Sequence, residues 1–486
     1  KKGSRFKKPY INLTSKLTGT EVALPAPFFK SINDEIKLDI DYYPTHTDSF
    51  SRLKFKYGDL FRGKVDFSDT KKQGYLIAGA DKQSITTEAG VISIIGTIEK
   101  MDLALLDLNI QPQAIQSTNF VVKLLEIGEV NYSNFTLPKT NIYSDETQDY
   151  FNLNISNKIL QGSLSLPKNK GFLPIIDLDF LNLEITSGNN SEALEIFDNL
   201  KTSLKFRTNS LILNSINFGN WKFVLKPSNS MIMLDDLVGE YGKWGLTKTD
   251  ENISSLKIIK KNLRWESSLK SRIYTGSPEK GFVQLGINPN FEMDTLVLDT
   301  DIYWNSLPWN LAYKDILGEI SLNAQGLLIQ DREDLPTPNN LLRLINIFNV
   351  TDSFEKVTNL DFRKLYKSGF SADSVVGTLQ LNKNSVSISK PLIFRSGSSE
   401  FKWEGEIYKD NNGSLSNLDL EVIMTLPLRE YLPAYAFLLG GPVTAGIVYI
   451  AGKAFERNLD QLSSGAWDVK GTLDKPKTEF KGWFEK

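Results

Sequence analysis

Apolar and charged residues alternate with a period of two along much of this chain, and that rhythm leaves little room for anything but β-strands. Ile36, Leu38, Ile40 and Tyr42 alternate with Lys37, Asp39 and Asp41. Leu53, Phe55 and Tyr57 alternate with Lys54 and Lys56, and Val65 and Phe67 follow Lys64 and Asp66. The pattern continues through Ile176, Leu178 and Phe180 set against Asp177 and Asp179, then Leu204 and Phe206 against Lys205 and Arg207, then Trp221, Phe223 and Leu225. Its clearest instance comes late, where Leu418, Leu420, Val422 and Met424 alternate with Asp419, Glu421 and Ile423. Successive side chains on a strand point to opposite faces, so each run has one wet face and one apolar face. Polar turns at residues 381–385 and 409–413 punctuate the runs at the spacing of a meandering antiparallel sheet.

Helical patterns are few. One covers residues 191–200, with Leu194, Ile196 and Phe197 apolar; another covers 338–349, where Leu341, Leu344, Ile345 and Phe348 form a stripe capped by Asn339 or Asn340. The third departure from alternation is residues 432–452, an uncharged run of about 20 residues, the length a membrane-spanning helix needs. Pro433 and the Gly440-Gly441-Pro442 break argue against one straight span, because proline removes a backbone donor and clashes with the preceding turn. The expected form is a hairpin of two short apolar helices, with Leu432, Phe437, Leu438, Leu439, Ile447, Val448, Tyr449 and Ile450 as membrane-docking candidates. An amphipathic helix follows, with Phe455, Leu459 and Leu462 on one side. The bland alternative is that this unit caps a β-domain. The organisation expected is a β-groove over residues 1–425, a helical element over 426–464 and terminal strands over 465–486.

Something must cover the apolar face of so many strands. At 486 residues the chain exceeds the roughly 250–300 at which one compact core stops growing, yet no linker or composition shift marks a boundary. Two sheets face to face would do it, but a sandwich of this size without a break is unusual. The fold class expected is therefore mainly β, an elongated antiparallel sheet curled into a hydrophobic groove. Roughly 25–30 strands at about 4.8 Å each would make it on the order of 120–140 Å long. An open apolar groove exceeds the few hundred Å² of apolar patch that monomers normally expose, so acyl chains are the expected filling. Leu418, Leu420, Val422 and Met424 are the candidates for its lining.

Composition removes most chemistry. With 56 basic and 58 acidic residues and a net charge of −2, the chain has no electrostatic footprint for nucleic acid. Cysteine is absent and His46 is the one histidine, which leaves no thiolate site, no zinc set and no Ser/His/Asp or Cys/His nucleophile; His46 itself, after Tyr43-Pro44, reads as a turn residue. The pairs Asp177/Asp179 and Asp419/Glu421 could serve as glycosidase carboxylates, but their spacing puts both members on the solvent face of one strand. Asp299, Asp301, Asp331 and Glu333 lack the loop pattern of a calcium site. The glycines at 239, 242 and 245 read as a bulge or tight turn rather than a phosphate loop. No catalytic residue, cofactor or metal is expected, and the chain is not expected to be an enzyme.

Several stretches bring a family into view. Leu17-Thr18-Gly19 followed by Ala23-Leu24-Pro25-Ala26-Pro27-Phe28-Phe29-Lys30-Ser31, and residues 90–96 leading into Met101-Asp102-Leu103, resemble segments of the YhdP branch of the AsmA-like proteins of Gram-negative bacteria. Residues 360–377 are similar to a further stretch of that family, with Lys364 in place of an acidic residue. Residues 438–442, 453–456, 459–464 and 467–477 resemble its carboxyl terminus. The resemblance implies a periplasmic bridge, anchored in the inner membrane by a segment before Lys1, that carries phospholipid toward the outer membrane through a hydrophobic groove. It implies phospholipids and the two membranes as partners, with the C-terminal helices at the outer membrane. Two rivals from other classes are a periplasmic scaffold with a dry interior and a carbohydrate-binding envelope protein, which would use clustered tryptophans; the eight here are spread along the chain.

Overall fold

The computed structural model describes residues 10–47, 50–69, 71–79, 88–103, 120–132, 135–184, 202–228, 230–261, 264–287, 289, 291–329, 370–397, 399–425, 464–473 and 475–484. It divides into two compact units, residues 1–232 and 233–486. Both are β-structure.

The first unit contains β1 (Ile11–Ser15), β2 (Leu38–Thr47), β3 (Phe50–Tyr57), β4 (Phe61–Phe67), β5 (Lys72–Ala78), β6 (Ile92–Asp102), β7 (Phe120–Tyr132) and β8 (Phe135–Leu137). It continues with β9 (Thr140–Glu146), β10 (Tyr150–Ser156), β11 (Leu160–Pro167), β12 (Ile175–Leu183), β13 (Leu204–Thr208), β14 (Leu211–Leu213), β15 (Ile216–Asn217) and β16 (Trp221–Ser228). The alternating runs named from the sequence before residue 226 fall on these strands, apart from Ile36 and Lys37, which precede β2. His46, expected in a turn, lies within β2, where the pairing with β3 is irregular between Tyr43 and Thr47.

The sheet is mixed rather than antiparallel. β1 to β5 pair antiparallel, but β5 with β6, β6 with β7, and β12 with both β13 and β14 are parallel. Hydrophobic alternation reports which face a residue occupies and is blind to strand direction. The readable signal was connection length: a parallel neighbour needs a crossover of a dozen or more residues, and the chain spends 103–119 between β6 and β7 and 184–203 between β12 and β13.

The second unit begins within β17 (Met231–Tyr241) and continues through β18 (Trp244–Thr247), β19 (Ser255–Lys261), β20 (Arg264–Thr275), β21 (Phe291–Glu292), β22 (Thr295–Trp304) and β23 (Leu317–Ile329). Then come β24 (Phe370–Leu381), β25 (Ser385–Ser396), β26 (Ser399–Lys409), β27 (Leu415–Thr425), β28 (Ser464–Thr472) and β29 (Lys475–Phe484). From β22 to β29 each strand pairs antiparallel with the next. One short helix, α1 (Pro278–Gln284), opens with proline in its first turn, where the missing N–H is not needed.

The helical patterns at 191–200 and 338–349 and the apolar hairpin at 432–452 lie outside the described residues. No helix among the described residues is long and apolar enough to cross a membrane.

Candidate functional site

Cross-strand register assembles the apolar side chains of the first unit into lines that run perpendicular to the strands. One line passes through Ser15, Leu38, Tyr57, Phe61, Ala78, Gly96 and Leu125. It then continues through Ile142, Ile155, Gly162 and Leu178 to Thr208 and Trp221. No charged residue occurs in it. A second line joins Leu153, Leu164, Ile176, Phe206 and Phe223, with the last two rings stacked at 4.8 Å. Most of these side chains are only half buried, and at the β1 edge Ile11 and Leu13 are 62% and 50% exposed. The face is apolar, continuous and incompletely covered.

Residues 16–37, between β1 and β2, form a flap that lies over part of this face. Its base is closed by Ile36 N donating to Lys16 O (3.1 Å) and Gly19 N to Ile32 O (3.1 Å), with Lys16 Nζ 3.0 Å from Glu35. The Lys16 ammonium holds the Glu35 carboxyl below its ordinary range. Val22 and Lys30 exchange backbone hydrogen bonds within the flap. Its tip reaches the sheet at three places: Asp102 N donates to Ala26 O (3.0 Å), Tyr57 Oη donates to Phe28 O (3.2 Å), and the Phe28 ring meets Phe61 edge-on at 5.9 Å. Phe28 packs there against a cluster of Ala78, Ile98, Ile127 and Val130. Burial raises the Tyr57 phenol above its ordinary range, which keeps it a neutral donor.

Lys30 is fully buried, yet its ammonium is satisfied: Nζ donates to Thr20 O (2.7 Å) and Ser31 O (2.8 Å), tying the flap to itself. Between flap and sheet lies an open cavity of about 420 Å³, lined by Leu17, Val22, Leu24 and Phe28 from the flap and Leu38, Phe55, Tyr57 and Phe61 from β2 to β4. Gly63 makes room for one lining side chain, since a Cβ there would fall 2.5 Å from the Phe55 ring.

The second unit closes its apolar face. Leu418, Leu420, Val422 and Met424 of β27 lie between 1% and 6% exposed, on one side of the strand, while Asp419 is exposed on the other. Each is the rung of a line: Val422 stands between Trp403 and Trp467, Met424 beside Phe401, and Leu420 between Gly405 and Val469. Gly405 sits at φ +119°, a conformation that favours glycine, and a Cβ there would meet Asp419 O at 2.3 Å. All four belong to a cluster that also holds Phe291, Leu296, Ala324, Val375 and Phe394. Helix α1 adds to it. Trp244 donates from Nε1 to Gly281 O (3.0 Å) and packs edge-on against Phe282, which packs edge-on against Phe291. The turn holding Trp244 is the Tyr241-Gly242-Lys243-Trp244 hairpin, with Gly242 at φ +60°. Toward β20 the same face turns polar but stays satisfied: Ser271 Oγ donates to Thr247 O (2.8 Å) and Thr300 Oγ1 to Ser271 O (2.9 Å).

The opposite face carries the charges in cross-strand pairs. Asp177 accepts hydrogen bonds from Nε and Nη2 of Arg207, and Gln161 donates to Asp179. Glu421 accepts from Lys481 at 2.8 Å, and Asp419 lies 3.6 Å from Lys470. Arg272 clamps Asp299 and Asp250, each through two hydrogen bonds of 2.7–2.8 Å, and the two carboxylates push its guanidinium further above the ordinary arginine range. Among the described residues, no group of three or more acidic or histidine side chains is arranged to hold a metal ion.

A family model described as YhdP protein matches residues 3–478. The chain belongs to the YhdP family. Comparison with curated proteins and with solved structures finds no match to either. In this YhdP-family chain some of the segments that carried the resemblance lie among the described residues. Ala23 to Ser31 form the tip and return of the flap, residues 92–96 open β6, and 467–472 lie in β28. Residues 370–377 open β24, whereas 360–369, 438–442 and 453–463 lie outside the described residues, as do all eight membrane-docking candidates. The flap and α1 were missed from the sequence. The flap's signal was a proline-broken apolar run, Ala23 to Phe29, that fits neither strand nor helix periodicity. That of α1 was Ser277-Pro278-Glu279, too short a helix to show a period.

Proposed function

We propose that this YhdP-family chain is a non-catalytic part of a periplasmic bridge that moves phospholipids between the inner and outer membranes, with acyl tails on the apolar face and head groups in water. The observation that carries this reading is the uncharged, half-open line of side chains across the first unit. A continuous apolar surface of this kind is costly to leave in water. Hydrophobic burial has no direction, so tails can slide along the line without a fixed site. Family membership supports the reading, because YhdP proteins are associated with the Gram-negative envelope. Charge balance and pairing on the opposite face suit a surface that stays in solvent. No catalytic residue, cofactor or nucleic acid enters this account. Docking at the outer membrane is assigned to residues 432–452.

The sealed cluster of the second unit favours a second reading for that unit alone, a rigid scaffold with a dry interior. A matched pair of variants on β11 separates the two. Leu164→Lys places a charge in the apolar line, whereas Ser163→Lys places one beside Asp177 on the wet face. Quantifying phospholipid that co-purifies with each folded variant should give wild-type retention for Ser163→Lys and a several-fold loss for Leu164→Lys. Equal retention in both would remove the apolar line from lipid binding.

A further inference from the structure

We propose that the cavity under the flap is a discrete binding site for one acyl chain, and that the flap is its lid. This deepens the lipid reading above and rests on it. All eight lining residues present carbon to the cavity; the one hydroxyl among them, on Tyr57, is committed to Phe28 O. A ligand without polar atoms along its length is what such a lining accepts, and about 420 Å³ falls within the range of ligand pockets. Elsewhere on the first unit's face a sliding tail is free to leave sideways. Here it would be held between flap and sheet.

The lid character follows from how the flap is held. Its internal bonds are many: the Val22–Lys30 ladder, the Lys30 ammonium on two carbonyls, and the closed base. Among the described residues its tip is held to the sheet by two hydrogen bonds, at Ala26 and Phe28, and by the packing of a single ring, that of Phe28. A body tied to itself and lightly tied to what it covers can lift as a unit from its base.

The test uses the absence of cysteine in the chain. Ala26 and Asp102 face each other across an antiparallel bridge, a spacing of about 4.5–5.5 Å between Cα atoms that a disulfide can span. The full chain carrying Ala26→Cys and Asp102→Cys is mixed with vesicles of phosphatidylethanolamine and phosphatidylglycerol containing a phospholipid with a diazirine on its acyl chain. A parallel arm uses a diazirine fatty acid. After illumination, labelled peptides are mapped.

The reduced protein should be labelled at Leu24 and Phe55, and oxidation should lower that labelling at least tenfold while labelling of β10 to β12 persists. Labelling in the phospholipid arm or in the fatty-acid arm supports the site and tells which source fills it. Labelling of β10 to β12 with none in the cavity overturns the site and leaves the wider lipid reading standing. Equal cavity labelling before and after oxidation overturns the lid. No labelling anywhere on the apolar face overturns both. Phe28→Ala, which removes the tip's anchor without a cysteine pair, should speed cavity labelling several-fold; an unchanged rate also overturns the lid.

Discussion

Parity is what a single residue contributes here, and it was legible. Leu418, Leu420, Val422 and Met424 share a face because strand side chains alternate, and their neighbours Asp419 and Glu421 find Lys470 and Lys481 on the other side. Period alone did not say how far each position is from water. Leu420 is 2% exposed inside a closed cluster, whereas Leu13, with the same apolar character on β1, is half exposed. Leu420→Ala should therefore cost about 2–5 kcal/mol, a transfer loss plus an unfilled cavity. Leu13→Ala should cost within about 0.5 kcal/mol. Denaturant midpoints of the two variants check the contrast, and similar shifts would mean that the two faces are equally packed. Lys30 was not legible at all, because a buried ammonium bonded to carbonyls ten residues back and one residue on leaves no pattern in sequence.

At the scale of elements, alternation located strands but not their partners or direction. The parallel pairs around β6 and β12 were hidden because face and direction are independent properties of a strand. The two terminal strands show what else an element must manage. Among the described residues β1 pairs with β2 and β29 with β28. β29 carries Pro476, Lys477 and Lys481, which oppose pairing with another chain, while β1 reads Ile-Asn-Leu-Thr-Ser. Replacing Pro476 and Lys477 with threonine should raise concentration-dependent self-association, measured by sedimentation, with little change in thermal midpoint. Unaltered sedimentation would show that β29 is guarded by something other than these two residues. The flap is the element that periodicity could not announce, since its prolines and apolar residues follow the shape of the surface beneath them rather than a repeat.

For the whole molecule, alternation was enough to place the chain among β-rich proteins, and the resemblance is matched by family membership over residues 3–478. What sequence left open was the state of the apolar face, which depends on long-range register and on covering segments. The face is half open and roofed by a flap in the first unit, and sealed in the second. A bridge for lipids requires that this surface hold acyl chains in number. Lipid mass spectrometry on the purified, thoroughly washed chain, beside a β-sandwich protein prepared from the same cells, tests this most directly. Several phospholipids per chain, absent from the sandwich control, are expected. No retained lipid above that control would contradict the transport account and leave a β-rich scaffold in its place.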